Sequence, residues 1–483
     1  MVHILRSSRR TNKKGQGEPA DQRVKQSSNL IGKDRPPVKA QSLIQKSKNA
    51  SNVQPLERKS MSAEKSIPPR KAGSSDLLKS SSGECDPVLE EQFKEVDRYL
   101  MRYHWFHGMM PREDCEEMVV QEGDYLVRRT TLAQMPTYCI TVRHNNEVKH
   151  IPISYAKGIW CINKECKVTL AELLDVYVKE QRPIAPSNSV LVREIHRPDY
   201  FVLHKDITLG QKLGHGAFGE VYCGKLKLKS GEEVDVAIKR AKEGKLKKNQ
   251  LTSFVREARI MRGLNHPNIV RMYGVAAQEE PVMILLELAI GGSLKAFYKK
   301  HGDVSTDQKM MFAKDACRGM CYLFLEKIIH RDLAARNCLL GSKNEVKISD
   351  FGLSVADRRE LRLNKLHKVP IKWLAPETIN EGIFTTKTDV WSYGVLLWEI
   401  FDNCKRDPFP GVTNAEAVAV ITGKTPPMEP PSDAPPIVKQ VMDLCFVKVP
   451  DKRSDFAELF HILVPNEPLP PLSSKNSLTD TKA

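Results

Sequence analysis

The stretch His330-Arg331-Asp332-Leu333-Ala334-Ala335-Arg336-Asn337 decides how this chain is interpreted. It follows a helical pattern and precedes short apolar runs typical of strands. An aspartate with an asparagine five residues later is the arrangement that phosphoryl transfer needs, because a carboxylate receives the proton of an attacking hydroxyl while an amide oxygen helps to hold a metal ion. Asp332 and Asn337 are therefore candidate catalytic residues, and Asn337 is also a candidate metal ligand.

A glycine-rich turn lies upstream, in the run Leu213-Gly214-His215-Gly216-Ala217-Phe218-Gly219-Glu220-Val221. In a dinucleotide-binding loop such a turn leads into a helix. Here strand-type residues follow, and the pattern continues to Val236-Ala237-Ile238-Lys239. Strand, glycine loop, strand and then lysine is the kinase arrangement, in which the glycines let the backbone close over phosphates and Lys239 contacts them. Glu257, in the helical run that follows, can pair with Lys239.

Two further segments complete a nucleotide site. The apolar run from Val282 to Leu288 predicts a buried strand followed by a hinge, with backbone groups from Glu287 to Ala289 facing the adenine edge. Asp350 begins an Asp-Phe-Gly sequence after another short strand, where its carboxylate can reach Mg²⁺. Asp389 is expected to support the catalytic loop, and Arg453 is expected to pair with Glu377.

From about residue 206 to residue 465 the chain resembles a protein kinase. Ala334 stands where serine/threonine kinases usually carry lysine, and Val369-Pro370-Ile371-Lys372-Trp373 is also of the tyrosine-kinase form. Serine/threonine specificity is the less favoured alternative. The resemblance implies ATP with Mg²⁺ or Mn²⁺, and the following roles: catalytic residues Asp332, Arg336, Asn337, Lys239 and Glu257; nucleotide-binding residues Leu213, Gly214, Gly216, Gly219, Val221, Ala237, Lys239, Glu287 and Ala289; and metal ligands Asn337 and Asp350.

A second pattern precedes the kinase-like region. The run Tyr125-Leu126-Val127-Arg128-Arg129-Thr130 ends an apolar strand with arginine, which is costly to bury unless it meets an anion. By itself Arg128 is as compatible with a structural ion pair as with a phosphate pocket. With Trp105 opening the first strand, about 95 residues resemble an SH2 domain. That resemblance implies that Arg112, Arg128, Thr130 and His150 bind phosphotyrosine, although Arg129 and Thr130 replace the usual Glu-Ser.

The first sixth of the chain carries most of the net positive charge. The whole chain has a net charge of +16, and residues 1–80 hold 18 Lys and Arg against 6 Asp and Glu, a net of +12. Low apolar content predicts a disordered basic tail. A solvated tail is the favoured interpretation, and an anionic membrane surface, nucleic acid and nuclear import are the alternatives. Nucleic acid is disfavoured because the first 90 residues contain no aromatic side chain for base stacking.

Cysteine usage and hydropathy limit the cellular compartment. The eleven cysteines include no C-x-x-C pair, and neither Cys161 with Cys166 nor Cys317 with Cys321 has a second pair to complete a metal site. We expect reduced thiols, which favours the cytosol or nucleus. No apolar run has membrane-spanning length, the N-terminus lacks a secretory apolar core, and Val2 excludes N-myristoylation.

An SH2 domain joined to a tyrosine kinase by a short linker resembles the Fes/Fer class of non-receptor kinases, without the large N-terminal membrane-curving domain of that class. The expected fold is α+β: a bilobal kinase fold preceded by a small SH2 α+β domain and a disordered basic tail. The expected boundaries are 1–97 for the tail, 98–197 for the SH2 domain, 198–206 for the linker, 207–465 for the kinase and 466–483 for a flexible C-terminal tail.

The resemblance implies a cytoplasmic enzyme, peripheral at the inner membrane face or partly nuclear as alternatives, that phosphorylates protein tyrosines and is recruited or activated through phosphotyrosine. In that class, contacts of the SH2 domain with the small lobe support the active state. The alternative functions are a catalytically silent SH2-pseudokinase adaptor and a binder of anionic surfaces through the tail.

One departure from the class concerns regulation. No tyrosine lies between Asp350 and Glu377, although such kinases normally use an activation-loop phosphotyrosine to pair with the arginine corresponding to Arg331. We hypothesise that Glu360, or no partner, takes that place and that control is left to the SH2 domain. Cys445-Phe446 in place of Cys-Trp, and Ser454 in place of proline, are expected to affect packing only.

Overall fold

A computed structural model of the chain describes residues 87–132, 135–215, 219–241, 248–365, 369–424 and 426–473. The first module has a six-stranded sheet in the order β5-β4-β3-β2-β1-β6, antiparallel except for the β1–β6 pair. Its elements are α1 (Pro87–Leu100), α2 (Arg112–Met118), β1 (Asp124–Leu132), β2 (Met135–His144), β3 (Glu147–Ala156), β4 (Ile159–Ile162), β5 (Glu165–Lys167), α3 (Leu170–Lys179) and β6 (Arg193–Glu194).

Local sequence accounts for several of these elements. Asn145 and Asn146 have φ values of 51° and 61°, and the β2–β3 hairpin turns at this pair because asparagine tolerates left-handed backbone. Thr169 caps α3 by accepting a hydrogen bond from the backbone of Glu172 at 3.2 Å.

Helix α1 begins before the domain boundary expected at residue 98, so residues 87–97, which were predicted to belong to the disordered tail, are helical. The helix is held because Phe93 is buried against the ring of Tyr138, at 5.7 Å between centroids. Asp97 is 1% exposed and pairs with Arg129 at 2.6 Å. The arginine that departs from the SH2 motif therefore holds α1 against the sheet.

The prediction of reduced thiols is wrong for one pair, since Cys161 and Cys166 form a disulfide. The two residues lie directly opposite each other on the antiparallel strands β4 and β5. A short hairpin thus brings their side chains together, which spacing in the sequence alone did not reveal. Among the described residues the other eight cysteines are free.

The small lobe of the second module is a five-stranded antiparallel sheet in the order β10-β11-β9-β8-β7 with one helix. Its elements are β7 (Ile207–His215), β8 (Gly219–Lys227), β9 (Glu233–Ala241), α4 (Lys248–Met261), β10 (Met272–Ala276) and β11 (Met283–Glu287). Lys239 on β9 lies opposite Val221 on β8 and Ile284 on β11. The central position of β9 fixes the lysine in the middle of the sheet.

The large lobe is mainly helical around α6 and α8. Its elements are β12 (Gly292–Ser293), α5 (Leu294–His301), α6 (Thr306–Leu325), β13 (Ile328–Ile329), β14 (Cys338–Leu340), β15 (Val346–Ile348), β16 (Val355–Ala356), β17 (Leu361–Arg362), α7 (Pro376–Glu381), β18 (Ile383–Phe384), α8 (Thr386–Phe401), α9 (Asn414–Thr422), α10 (Pro436–Cys445) and α11 (Phe456–Leu463). The expected pair of Arg453 with Glu377 is present, at 2.7 and 3.0 Å. The α+β prediction, with a bilobal second module, is confirmed.

Candidate active site and phosphate pocket

The catalytic loop between β13 and β14 is held by a residue of helix α8, Asp389. Asp389 is 1% exposed and accepts backbone N–H groups of His330 at 2.7 Å and Arg331 at 2.9 Å. Burial raises the pKa of Asp389 to about 6, against the lowering effect of its donors. His330 in turn contacts the Ser349 carbonyl at 3.1 Å and lies 5.2 Å from the Phe351 ring. These contacts tie the loop to the strand that carries Asp350.

Asp332 is bound by two polar residues from the end of its loop, Arg336 and Asn337. The Asn337 amide nitrogen donates to the Asp332 carboxylate and to its backbone carbonyl, both at 2.7 Å. Arg336 donates to the other carboxylate oxygen and lies over the Trp373 ring at 4.5 Å. The structure thus brings the predicted Asp332, Arg336 and Asn337 together, and orients one carboxylate through two donors.

Lys239 joins the two lobes of the site. Its ammonium contacts both carboxylate oxygens of Glu257, at 2.7 and 2.5 Å, and lies 3.6 Å from Asp350. Burial opposes the charge on Lys239, but the carboxylates of Glu257 and Asp350 outweigh it and raise the pKa of the ammonium. Helix α4 is therefore placed with Glu257 turned toward the cleft.

Asp350 has a left-handed backbone, with φ 63° and ψ 74°, and its side chain is 51% exposed. Although it pairs with Lys239, this carboxylate is half exposed beside the cleft and is therefore accessible to a ligand. The Asn337 amide nitrogen is occupied by Asp332, which leaves its carbonyl oxygen as the donor atom. Two oxygen donors suit a magnesium ion that completes its shell with phosphate oxygens and water.

The predicted nucleotide-binding residues lie along β7, β8, β9 and the end of β11. Gly219 has no room for a side chain, since a Cβ would lie 2.0 Å from the Arg240 carbonyl. Ala237 is opposite Cys223 on one neighbouring strand and Leu286 on the other. The rest of the set occupies the rim and the hinge: Leu213, Gly214, Val221, Glu287 and Ala289. Gly216 lies outside the described residues.

The phosphate pocket predicted for the first module contains a carboxylate that the sequence analysis did not assign. Glu116 Oε1 accepts from Arg112 at 2.6 Å and from His150 Nε2 at 2.9 Å. Arg128 is 7% exposed and its Nε makes no hydrogen bond within the described part of the chain. Thr130 lies two residues along β1 and so faces the same side as Arg128. The spacing of Glu116 from Arg112, one helical turn, was an available signal.

The charged groups of this pocket shift one another's pKa values. The hydrogen bond from Arg112 lowers the pKa of Glu116. Burial lowers the pKa of His150, and the charges of Arg112 and Arg128 lower it further. The pocket therefore contains two cations, Arg112 and Arg128, the imidazole of His150, and one internal carboxylate, Glu116.

Arg331 does not pair with Glu360, so that part of our hypothesis is wrong. Glu360, which directly precedes β17, binds Arg362 at 2.7 Å on the surface. Arg331 instead donates to the Leu353 carbonyl at 2.7 Å and lies over the Phe384 ring at 4.2 Å.

Helix α2 of the first module contacts helix α4 of the second. Asp114 is 4% exposed and binds Arg259 through two bonds of 2.9 Å. Arg262 binds Glu117 at 2.6 Å. The resemblance implied a contact of the SH2 domain with the small lobe, but sequence reasoning did not assign these residues, although Arg259 and Arg262 are three residues apart and so lie on one side of the chain.

Apolar residues of both modules share one cluster beneath these ion pairs, including Met110, Cys115, Val119 and Leu126 from the first module and Phe254, Val255, Ala258 and Val275 from the second. The Met109 amide also donates to the Ala277 carbonyl at 2.6 Å. The segment before β7 adds to the contact, because its Tyr200 and Val202 exchange backbone hydrogen bonds with Val275 at 2.8 and 2.9 Å. The first module is thus anchored to the helix that carries Glu257. These features define a protein in which an SH2 module adjoins a kinase ATP site.

Comparison with known proteins agrees with this class. Residues 207–463 match the family model described as protein tyrosine and serine/threonine kinase, and residues 105–177 match the SH2 domain. Fer-related kinase 1 of Caenorhabditis elegans is 39% identical over 362 residues, which are 72% of this chain and 90% of that protein. The tyrosine-protein kinase Fer of Homo sapiens is 35% identical over 449 residues, 92% of this chain. The transforming protein Fps of an avian sarcoma virus is 34% identical over 374 residues, 77% of this chain and 69% of that protein.

The chain belongs to the SH2-containing protein tyrosine kinases of the Fes/Fer class. This confirms the resemblance and the function class predicted from the sequence, a non-receptor tyrosine kinase. Kinases of this family use ATP with a divalent metal and act on protein substrates, and SH2 domains bind phosphotyrosine partners. The chain spans about half the length of the human Fer protein, 52%. Among the described residues, none of the helices has the length and apolar character needed to cross a bilayer.

Proposed function

We propose that this chain is a catalytically competent kinase that transfers the γ-phosphoryl group of ATP to tyrosine hydroxyls of proteins. The observation that carries the proposal is that Lys239 contacts both Glu257 and Asp350. On the other side of the cleft, Asn337 holds the Asp332 carboxylate by a hydrogen bond. A catalytically silent adaptor would not need these side chains to contact one another, whereas in this chain all of the contacts are present.

The residues divide the work by position. Asp332 receives or orients the proton of the attacking hydroxyl, and Arg336 and Asn337 keep its carboxylate in one place. Lys239 holds the α and β phosphates, and Glu257 fixes its ammonium. Asn337 and Asp350 would hold Mg²⁺ or Mn²⁺, which neutralises charge on the phosphates when bound. The chain contributes mainly positioning and charge stabilisation.

Tyrosine as the acceptor is supported by Ala334 and by the segment from Val369 to Trp373. A phenol reaches further than a serine side chain, and Trp373 lies beneath the Arg336 guanidinium that contacts Asp332. These contacts set the depth at which the acceptor side chain meets the carboxylate.

The first module is proposed to recruit the kinase to phosphotyrosine proteins through Arg112, Arg128, Thr130 and His150. The support is the nearly buried Arg128 guanidinium, whose Nε lacks a protein partner among the described residues. Such a group is costly unless an anion satisfies it. We place the protein in the cytoplasm, with the basic tail as a contact for anionic membrane surfaces and a nuclear pool as the alternative.

The test compares wild-type protein with Asp332→Asn in an ATP-dependent tyrosine-peptide assay. We expect the variant to lose about 10²- to 10⁴-fold in kcat while binding ATP like the wild type. Phosphoamino acid analysis of the product should show phosphotyrosine. Equal rates for the two proteins would show that Asp332 does not take part in the transfer, and absence of phosphotransfer by the wild type would favour the adaptor function instead.

A further inference from the structure

The activation segment from Asp350 to Glu377 offers no exposed hydroxyl for phosphorylation. It contains neither tyrosine nor threonine, and its one serine is Ser354. Ser354 is 3% exposed and its hydroxyl donates to the His330 carbonyl at 3.1 Å. The usual means of fixing such a segment, a phosphate paired with the arginine before the catalytic aspartate, is therefore closed to this chain.

Arg331, the arginine in question, is held in another way. Its backbone is left-handed, with φ 71°, and its amide binds Asp389. Its guanidinium donates to Leu353 and lies 4.2 Å from the centroid of the Phe384 ring. Phe384 is 2% exposed and Arg331 is half-buried, so the contact is partly shielded from water, and such shielding strengthens it.

The same phenylalanine anchors the activation segment. Leu361 of β17 lies opposite Phe384 of β18, and the Leu363 amide donates to the Gly382 carbonyl at 3.0 Å. Gly382 has φ +68° and would clash with the Leu363 carbonyl, at 2.1 Å, if it carried a Cβ. Phe384 packs in a small apolar cluster, formed with Ile329, Leu374, Leu361, Leu363, Val369 and Ile379.

We propose that Phe384 is a positioning residue that holds Arg331, and through it Asp332, in the working geometry without phosphorylation of the activation segment. The ring takes the place that a phosphotyrosine has in related kinases, by covering the guanidinium, whose Nε has no hydrogen-bond partner among the described residues, and by packing β18 against β17. This inference rests on the proposed tyrosine kinase activity, and it adds that the activity is present in the unphosphorylated chain.

The first experiment uses the full chain, treated with phosphatase and shown by mass spectrometry to carry no phosphate. Progress curves with Mg-ATP and a tyrosine peptide should be linear from the first turnover. A lag that shortens as enzyme concentration rises would overturn the inference, because it would show activation by phosphorylation in trans. Absence of turnover both before and after preincubation with ATP would overturn the proposed activity and this inference together.

The second experiment tests the ring itself. Phe384→Leu keeps an apolar side chain but removes the ring, and we expect kcat to fall roughly 10- to 30-fold with the KM for ATP unchanged. Phe384→Tyr keeps the ring, so kcat should stay within about twofold even if the buried hydroxyl lowers the Tm.

Phe456→Leu is the matched control, since Phe456 is 1% exposed in α11 and packs against Tyr393 rather than the catalytic loop. It should lower the Tm and leave kcat unchanged. Equal losses of kcat in Phe384→Leu and Phe456→Leu would show that Phe384 acts only through general stability, which contradicts the proposal.

Discussion

Replacing Asp114 with asparagine removes the charge that joins helix α2 of the SH2 domain to helix α4 of the kinase, and we expect kcat to fall as a result. Asp114 makes two bonds of 2.9 Å to Arg259, and a third contact of 3.5 Å to Arg262. Glu257, the partner of Lys239, lies on α4 together with Arg259. The asparagine keeps the size of the side chain, so the loss is electrostatic.

The magnitude follows from burial. Breaking a fully buried ion pair by removing one partner costs about 3–5 kcal/mol. The Arg259 side chain is 29% exposed, which screens part of this, and about 2–3 kcal/mol is the expected loss. About 1.4 kcal/mol corresponds to a factor of ten in an equilibrium constant. The equilibrium that favours the position of α4 in which Glu257 binds Lys239 therefore shifts by about 30- to 150-fold. The fall in kcat is bounded by that factor.

The assay is steady-state kinetics on the full chain, with the KM for ATP measured alongside kcat. Asp175→Asn is a matched control, because Asp175 makes a single exposed ion pair with Lys179 on α3, at 2.7 Å. It should leave both parameters unchanged. A double-mutant cycle with Arg259→Gln isolates the pair, and we expect the second substitution to cost little once the first is present.

Two results would refute the reasoning. Unchanged kcat in Asp114→Asn would show that α4 holds its position without the SH2 domain. Strict additivity in the cycle would show that Asp114 and Arg259 act independently, despite their bonds.

Three further outcomes follow from the SH2 domain. Arg128→Ala should weaken phosphotyrosine-peptide binding by about 100-fold or more in isothermal titration, since it removes a charge-assisted donor, and peptides without the phosphate should be unaffected. Glu116→Gln should tighten phosphotyrosine-peptide binding several-fold, because the carboxylate that now binds Arg112 and His150 loses its charge. Glu113→Gln, exposed on the same helix, is the control and should leave the affinity unchanged. Weaker binding by Glu116→Gln would contradict a competition between Glu116 and the phosphate. Burial lowers the pKa of His107 to about 4, whereas the same side chain in the unfolded chain takes up its proton near pH 6.5. Neutral His107 therefore contributes up to about 3 kcal/mol to the stability of the folded domain. This contribution is complete above pH 6.5 and is lost as the pH falls from 6.5 to about 4. The loss of Tm between pH 7.5 and pH 5 should therefore be smaller in His107→Gln than in the wild type.

The sequence was most informative where function demands residue types at fixed spacing. Asp332 and Asn337 lie in one short loop, and Lys239 with its glycine turn lies on adjacent strands, so local spacing already predicted which groups would meet. The hairpin turn at Asn145 and Asn146 and the cap at Thr169 also depend on near neighbours in the chain, since backbone conformation there is set locally.

Long-range contacts were decided by the tertiary structure. The pairing of Asp114 with Arg259 joins residues 145 positions apart, and no spacing rule connects them. The same holds for Asp97 with Arg129, which extends order to residue 87, and for Arg331 with Phe384, a contact that the hypothesis of Glu360 or no partner did not include. Cys161 and Cys166 are close in sequence, but their pairing depended on strand register.

The octet from His330 to Asn337 by itself determined the chemistry, because proton transfer and metal binding require a carboxylate and an amide at short range. Its regulation depended on which side chains the fold brings from distant segments to Arg331 and Glu257. Burial sets the strength of those contacts, and burial is a property of the folded chain, so only the tertiary structure could decide how this kinase holds its active site together.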